Sequence, residues 1–489
     1  MKAVGYEVEL KFSCRTEDFA VVLAAAPAGH DETRELISVY FDTPDLLLQR
    51  AGASLRVREH KGRRTQTFKR GSGLVREEYE APIESLAPDP ALEPLPSMLP
   101  HGATLKPAFN VRVSRRQRTL SYRGAEIELA LDQGEAAGGD QCRAICEVEL
   151  ELKSGPASAL FALAHELSVS APIYLAFDSK ASQGQALVAG RGPDAAGNSK
   201  AEITADFTID QAFQAIARQA LSQVAASAAA LRLEAQPEVV HQLRVGVRRL
   251  RSALATFKPV LDGEGLERLA FELQWLGRAC EAARNLDVFA EETLKPVELA
   301  ANPASGIVAL RKALDAGRSA AWAQACEAVA SHRFRALMID AAAWLETGTW
   351  RFAKEAADPL KPFARSALSR HLKKVRSKGR KAWDGDDAAR HQLRIEVKKL
   401  RYAAEALTGV FGEKRAARYL RPLKDLQDRL GWLNDLATTE PMIKTLTLST
   451  EAAFLAGELV GLQAAGKPKL LAQAAKALQR LEGTKPFWG

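Results

Sequence analysis

Cysteine is scarce in this chain: five in 489 residues, at positions 14, 142, 146, 280 and 326, none of them in a CxxC pair. That spacing excludes a paired-cysteine zinc site and a secreted disulfide framework, and the odd count fits a reducing compartment. No run reaches the ~18 to 20 uninterrupted apolar residues of a membrane span, and the N-terminus enters a charged segment without an apolar signal core. A soluble cytoplasmic protein is expected. The GxxxxGKS/T loop is absent, so phosphate is not cradled in the P-loop manner. Absent too are a Ser/His or Cys/His pairing for covalent catalysis and any zinc-finger, RNP or Gly-rich element for nucleic acid.

What is present is charge, unevenly divided. Residues 1–200 hold 24 Lys and Arg against 27 Asp and Glu, a net of −3, which leaves +11 on the remainder of a chain whose total is +8. The later part should therefore attract anions. Length favours two to four domains, and texture locates a boundary. Up to residue 190, short runs such as Ile37–Phe41, Ser54–Arg58, Thr65–Lys69, Glu126–Leu131 and Ile145–Leu152 read as strands between Gly, Pro and Asp breaks. Helices are predicted over Thr16–Ala26 and Pro156–Ser168, and an irregular Pro-rich connection over Ala87–Pro107. Gly, Pro and Asn mark a linker over 191–204. From 205 to 489, Ala and Leu dominate, and amphipathic patterns over 209–233, 237–260, 264–292, 332–346, 388–411 and 415–438 predict a helical bundle.

The strands of the first part carry charge on alternate positions. Glu7, Glu9 and Lys11 share one face of a strand whose other face is Val8 and Leu10; Glu147, Glu149, Glu151 and Lys153 repeat the pattern, and Arg56 and Arg58 give it in basic form. An antiparallel barrel would turn such faces into one interior with room for a ligand. The acids, with Asp132, would make a hard oxygen site for Mg²⁺ or Mn²⁺. Lys11, Arg56, Arg58, Lys69, Arg76, Arg115 and Lys180 would hold phosphate oxygens.

The second part contains a repeat. His241-Gln-Leu-Arg244-Val-Gly-Val-Arg248-Arg249-Leu-Arg251 aligns without gaps, 150 positions on, with His391-Gln-Leu-Arg394-Ile-Glu-Val-Lys398-Lys399-Leu-Arg401. On a helix, His241, Arg244, Arg248 and Arg251 fall within about 80° of one another and form a polar stripe, as do His391, Arg394, Lys398 and Arg401. Two basic stripes brought together need an anion or solvent to compensate them. Phe257 and Tyr402 are the only aromatics nearby, so a phosphate-only ligand is preferred to nucleic acid. The predicted class is α+β: an antiparallel barrel, then an all-α bundle of two related halves.

Glu7-x-Glu9-x-Lys11 resembles the signature of the CYTH superfamily, the triphosphate tunnel metalloenzymes, whose members include inorganic triphosphatases, thiamine triphosphatases and class IV adenylate cyclases. Tyr40-Phe41-Asp42-Thr43, Leu55-Arg56-Val57-Arg58, Thr67-Phe68-Lys69, Arg76-Glu77-Glu78, Asp132-Gln133-Gly134-Glu135, Cys146-Glu147-Val148-Glu149 and Ser179-Lys180 follow in family order. The likeness covers residues 1–190. Residues 205–489 resemble a CHAD domain, a helical module associated with polyphosphate binding, and the tandem order is similar to that of bacterial inorganic triphosphatases.

The resemblance implies an eight-stranded tunnel with Glu7, Glu9, Asp132, Glu147 and Glu149 on Mg²⁺ or Mn²⁺. It assigns Lys11, Arg56, Arg58, Lys69, Arg76, Arg115 and Lys180 to triphosphate, and His241, Arg244, Arg248, Arg251, His391, Arg394, Lys398 and Arg401 to polyphosphate. The implied activity is hydrolysis of tripolyphosphate to pyrophosphate and phosphate. Glu78 would orient the water and Lys69 or Arg58 would sit on the transferred group, in a cytoplasmic protein associated with polyphosphate granules. Thiamine triphosphatase, adenylate cyclase and a non-catalytic polyphosphate scaffold remain as alternatives.

Overall fold

The computed structural model describes residues 5–71, 74–190, 201–261, 264–300, 305–383 and 386–489. Residues 191–200, most of the expected linker, lie outside them. The chain forms two compact units, one of Met1–Gly197 with Ala225–Ala230 and Ala330–Thr347, the other of Asn198–Val224, Leu231–Val329 and Gly348–Gly489. Among the described residues no helix is long and apolar enough to cross a membrane.

The strands are β1 (Gly5–Ser13), β2 (His30–Asp42), β3 (Ala53–His60), β4 (Arg63–Arg70), β5 (Val75–Ile83), β6 (Lys106–Tyr122), β7 (Ala125–Gly138), β8 (Gln141–Ser154) and β9 (Tyr174–Ala176). Helices α1 (Phe19–Ala25), α2 (Leu47–Arg50), α3 (Leu95–Met98), α4 (Ala157–Ser170) and α5 (Lys180–Val188) lie among them. The later helices are α6 (Ile209–Leu233), α7 (Pro237–Phe257), α8 (Glu264–Ala279), α9 (Glu281–Val288), α10 (Lys295–Ala300), α11 (Ser305–Ala330) and α12 (His332–Thr347). They are followed by α13 (Leu360–Ala382), α14 (Asp387–Ala406), α15 (Thr408–Phe411), α16 (Glu413–Ile443) and α17 (Thr450–Glu482).

Eight strands run antiparallel in the order β5-β4-β3-β2-β6-β7-β8-β1, and β1 pairs back onto β5, closing a barrel. β9 adds to the second half of β1. The alternation in β1 dictates which way the sheet curls: Leu10 and Phe12 are fully buried on the outer face, while Glu7, Glu9 and Lys11 turn inward. α4 covers the outside, packing on β1, β7 and β8 with Leu160, Phe161, Leu163, Ala164 and Leu167 buried. Farther round, Leu55, Val57 and Phe68 meet Phe41, Leu48 and Leu95 under α2 and α3. Burial at ~25 cal/mol per Å² of apolar surface thus stabilises the barrel from outside and leaves the interior free for charge.

α5 fills part of that interior. Ser179 and Ser182 close a capping box at its start, and Ala181 joins a cluster of Leu36, Tyr40, Phe109, Val111, Val113, Ala136 and Ile145. Gly184 is required there, because a Cβ would lie 2.1 Å from Phe109 Cε2. Gly184→Val should therefore overpack the contact and cost about 1–3 kcal/mol in a denaturant titration. α12 belongs to this unit as well: it packs on α4, and buried Arg335 donates from Nε to the Ser168 carbonyl at 3.1 Å while its guanidinium lies 5.6 Å from the Tyr174 ring centre.

In the other unit the two repeated segments fall on α7 and α14, which pack together. Gly246 of the first copy lets α7 approach α6 closely, since a Cβ would stand 2.9 Å from Val224 Cγ2. The same position in the second copy is Glu396, paired with Lys399 at 2.8 Å. The pattern read over 264–292 is not one helix: Cys280 leaves helical angles (φ −96, ψ 5) between α8 and α9, and a π-helical turn follows over Phe289–Leu294. The pattern over 388–411 likewise stops at Leu407 (φ −99, ψ 12) before the short α15.

Candidate functional site

A cavity of about 380 Å³ runs inside the barrel. Glu7, Glu9 and Lys11 reach it from β1, Arg56 and Arg58 from β3, Lys69 from β4, Arg76 and Glu78 from β5, Arg115 from β6, Glu149 from β8 and Lys180 from α5. Strand register accounts for the juxtapositions: Lys11 is opposite Glu149, Glu9 opposite Glu151, and Arg115 opposite Asp132.

The wall on the β1 and β8 side is a lattice of ion pairs. Lys11 Nζ lies 2.6 Å from Glu9 Oε1 and also pairs with Glu149. Lys69 Nζ stands 2.5 Å from Glu7 and 3.3 Å from Glu78, and Arg76 3.3 Å from Glu9. Burial alone would raise the Glu7 carboxyl, but Lys69, Lys11 and Arg76 hold it below the usual value. Glu9 goes the other way, raised by burial and by Glu149 and Glu7 despite Lys11. Glu149 is buried too, yet Lys11, Lys180 and Arg115 keep it well below the ordinary range.

Asp132 and Glu147 stand behind this surface. Arg115 grips Asp132 bidentately, at 2.7 Å through Nε and 2.6 Å through Nη2. Lys180 Nζ binds Asp132 and Glu147, both at 2.7 Å, and Gln183 donates to the other Glu147 oxygen at 2.5 Å. Asp132 is fully buried, and its carboxylate is held low against burial by Lys180 and Arg115.

The β3 side differs. Arg58 Nε donates to Ser38 Oγ at 3.0 Å, and among the described residues no carboxylate pairs with Arg56 or Arg58. Burial, then Arg56 and Arg115, push Arg58 down to about 9. The Nε of Arg56 is buried without a partner. Its guanidinium, with that of Arg58, lowers the Tyr40 hydroxyl against the effect of burial. Tyr40, Glu128 and Lys153 also line the cavity, as do His60, Arg34 and Gln117, which were not singled out in the sequence. The signal was there for Arg34, which shares one face of β2 with Leu36, Ser38 and Tyr40.

In the helical unit, the repeat brings a different set together. Arg248 Nε donates to the Tyr402 hydroxyl at 3.0 Å, and Arg244 Nη1 to the Gly277 carbonyl at 2.6 Å. The Nε atoms of Arg244 and Arg394, equivalent positions in the two copies, are buried without partners, as is His241 Nδ1. Burial, then Arg394, Arg248 and Arg244, bring the Lys398 ammonium down to about 7, against the pull of Asp435. These four cations therefore share one site, with His241 at its edge under the influence of Arg284, Arg248 and Arg244. Arg251 lines one pocket with Arg248, Lys398 and Tyr402, whereas Arg401 Nε donates to Glu405 at 2.8 Å and His391 Nδ1 lies 2.8 Å from Asn434 Oδ1.

Comparison with known proteins agrees with both parts. Residues 5–184 match the sequence profile of the CYTH domain and residues 215–444 that of the CHAD domain. An inorganic triphosphatase of Haemophilus influenzae is 31% identical over 197 residues, 37% of this chain. The match spans 54% of that protein, about half its length. The crystal structure of the CHAD domain from the plant Ricinus communis aligns over 59% of this chain and 96% of its own, with a TM-score of 0.51 and 28% identity. PptA from Streptomyces chartreusis aligns over 57% of this chain and 100% of its own at a TM-score of 0.42 and 21% identity, too loosely to add to the argument. The chain therefore carries a CYTH domain followed by a CHAD domain.

Proposed function

We propose that the barrel region, residues 1–190, hydrolyses inorganic triphosphate to pyrophosphate and phosphate with Mg²⁺ or Mn²⁺, and that the helical region, residues 205–489, binds linear polyphosphate. The observation that carries the first reading is the division of the cavity wall. Carboxylates and their partners line the β1 and β8 side, whereas Arg56 and Arg58 face the same space without a carboxylate partner among the described residues. Two buried guanidiniums with no carboxylate in ion-pair contact among the described residues suit a polyanion.

The donor set suits a hard divalent cation. Glu7, Glu9 and Glu149 all reach the cavity, and the mutual repulsion that raises Glu9 is what a dication relieves. As they stand, no three acidic, His or Cys side chains among the described residues converge on one point, since Lys11 stands between Glu9 and Glu149. Bound to Glu7, Glu9 and Glu149, Mg²⁺ or Mn²⁺ supplies charge neutralisation for the phosphoryl oxygens. Asp132 and Glu147, expected as further ligands, are better suited to fixing Arg115 and Lys180, because their oxygens are already taken by those cations and by Gln183.

Arg56 and Arg58 then take the phosphate oxygens, and Lys69, placed between Glu7 and Glu78, sits on the transferred group. Glu78 orients the in-line water. Such chemistry relies on positioning and electrostatics rather than a covalent nucleophile. Tyr40 is the only aromatic side chain apart from His60 among the residues lining the cavity. It is 5% exposed and stacked on Phe109 with ring centres 4.6 Å apart, leaving little ring face for a thiazole or a nucleobase.

Phosphate release from tripolyphosphate, thiamine triphosphate and ATP by the full chain with Mg²⁺ tests the substrate. Tripolyphosphate should turn over fastest and yield pyrophosphate and phosphate in equal amounts. Faster turnover of either organic substrate would contradict the assignment, and no turnover of any would leave the barrel a phosphate gripper without catalysis. For the helical region, support comes from the four-cation cluster and its unpartnered Arg244 and Arg394 N–H groups.

A further inference from the structure

α13 buries Ala364, Leu368, Leu372 and Val375 along one side and carries nine Lys and Arg with no Asp or Glu over its 23 residues. Arg365 and Arg370 are used on backbone carbonyls, those of Trp488 and Thr256. Lys373, Lys374, Arg376, Lys378, Arg380 and Lys381 are all exposed, and among the described residues none forms an ion pair. Like charges three and four apart, as in Lys374/Lys378 and Arg376/Arg380, oppose a helix that has no acid of its own to offset them. The charge continues beyond α13: Arg376 acts on the Tyr419 hydroxyl of α16, whose first turns expose Lys414, Arg415, Arg418 and Arg421 against one acid, Glu413.

We infer that the solvent face of α13, continued by the start of α16, is a second docking track for linear polyphosphate, engaged by long chains and not by short ones. This rests on the polyphosphate reading of the helical region. The exposed positions offer Lys, Arg and Ser but no aromatic ring on which bases could stack and no Asn or Gln to read base edges. They recognise phosphate charge alone. At 1.5 Å per residue α13 is about 35 Å long, so a polymer can neutralise many of its charges at once and release their counterions, whereas tripolyphosphate cannot.

The test compares binding of long-chain polyphosphate and of tripolyphosphate to the full chain across a salt series. The variant Lys373→Gln/Lys374→Gln/Arg376→Gln/Lys378→Gln should lose about tenfold or more in long-chain affinity at low salt and show a shallower salt dependence. Its tripolyphosphate affinity should stay unchanged. Lys374→Arg/Lys378→Arg should behave as the parent, and Arg415→Gln/Arg418→Gln, on the other helix, should reproduce the loss in smaller measure, which keeps the test open if the first variant does not fold. Unchanged long-chain binding in the Gln variants overturns the inference, as does an equal loss for tripolyphosphate. Tighter binding of duplex DNA than of polyphosphate at equal salt overturns it in favour of a nucleic-acid face. A parent chain that binds no polyphosphate of any length overturns the underlying reading, an outcome distinct from variants that match a binding parent.

Discussion

Arg58→Met is expected to lower the turnover of tripolyphosphate by about a hundred- to a thousandfold, the range found when one preorganised charge donor is removed from a transition state, while the protein melts no lower than the parent. The two effects separate because Arg58 is buried beside Arg56 and Arg115 without a carboxylate partner. Its charge is a standing cost to the fold, and a methionine of similar length fills the space without it. Relief of that repulsion should stabilise the fold by about 1–2 kcal/mol, within the range seen when buried charges give way to apolar groups. Arg115→Met provides the contrast. Arg115 grips Asp132 and contacts Glu149, so its loss strands buried carboxylates and should cost about 3–5 kcal/mol. Parallel assays and thermal melts distinguish the two arginines. A drop in melting temperature for Arg58→Met as large as for Arg115→Met would show that Arg58 serves the fold and not the ligand.

Polyphosphate binding by the helical region should weaken as pH rises above 7. Lys398 is brought to about 7 by burial and by Arg394, Arg248 and Arg244, so in the free protein it is half protonated at neutrality. A polyanion favours the charged form and raises the group's pKa on binding. Affinity is therefore flat below the free value, where the proton is already present, and falls above it by up to about tenfold per pH unit for one proton taken up. Lys398→Gln should bind less tightly at pH 6 and lose this limb of the profile. Asp435 is raised by burial but held back by Arg394 and Lys398, and burial, with Arg284, Arg248 and Arg244, lowers His241 from its ordinary value. Titration of binding by isothermal calorimetry from pH 6 to 9 checks the sign. An affinity that rises across this range, or a profile that Lys398→Gln leaves intact, contradicts the cluster as the anion site.

Much of the tunnel was legible because a strand has a period of two. Glu7, Glu9 and Lys11 on one face of β1 and fully buried Leu10 and Phe12 on the other left little choice of orientation once a second acidic strand was found in β8. The inner role of α5 was not legible, because Ala181 and Gly184 look like ordinary small helix residues until Phe109 is placed against them. β7 was read only over Glu126–Leu131, yet runs to Gly138. Its continuation includes Gly134, whose missing side chain lets the neighbouring β6 backbone pass at a distance where a Cβ would meet Arg112 O at 2.0 Å. In the helical region the repeat disclosed which cations recur but not which would meet. Arg244, Arg248, Arg394 and Lys398 share a site, whereas Arg401 is claimed by Glu405 one turn away on its own helix. α12 was legible as a helix, but amphipathicity names no partner, and its packing on α4 could only be seen in three dimensions. α17 escaped notice because Gly457, Gly461, Gly466 and Pro468 interrupt its pattern.

The most direct test of the central claim is the rate of phosphate release from tripolyphosphate as free Mg²⁺ is raised from zero, in the parent and in Glu7→Gln/Glu9→Gln. The parent should show no release in EDTA and a saturable rise with Mg²⁺, and the variant should require far more metal or show no turnover at all. Release that persists in EDTA, or a variant with the parent's metal dependence, would contradict a metal held by the carboxylates of β1 inside a triphosphate tunnel.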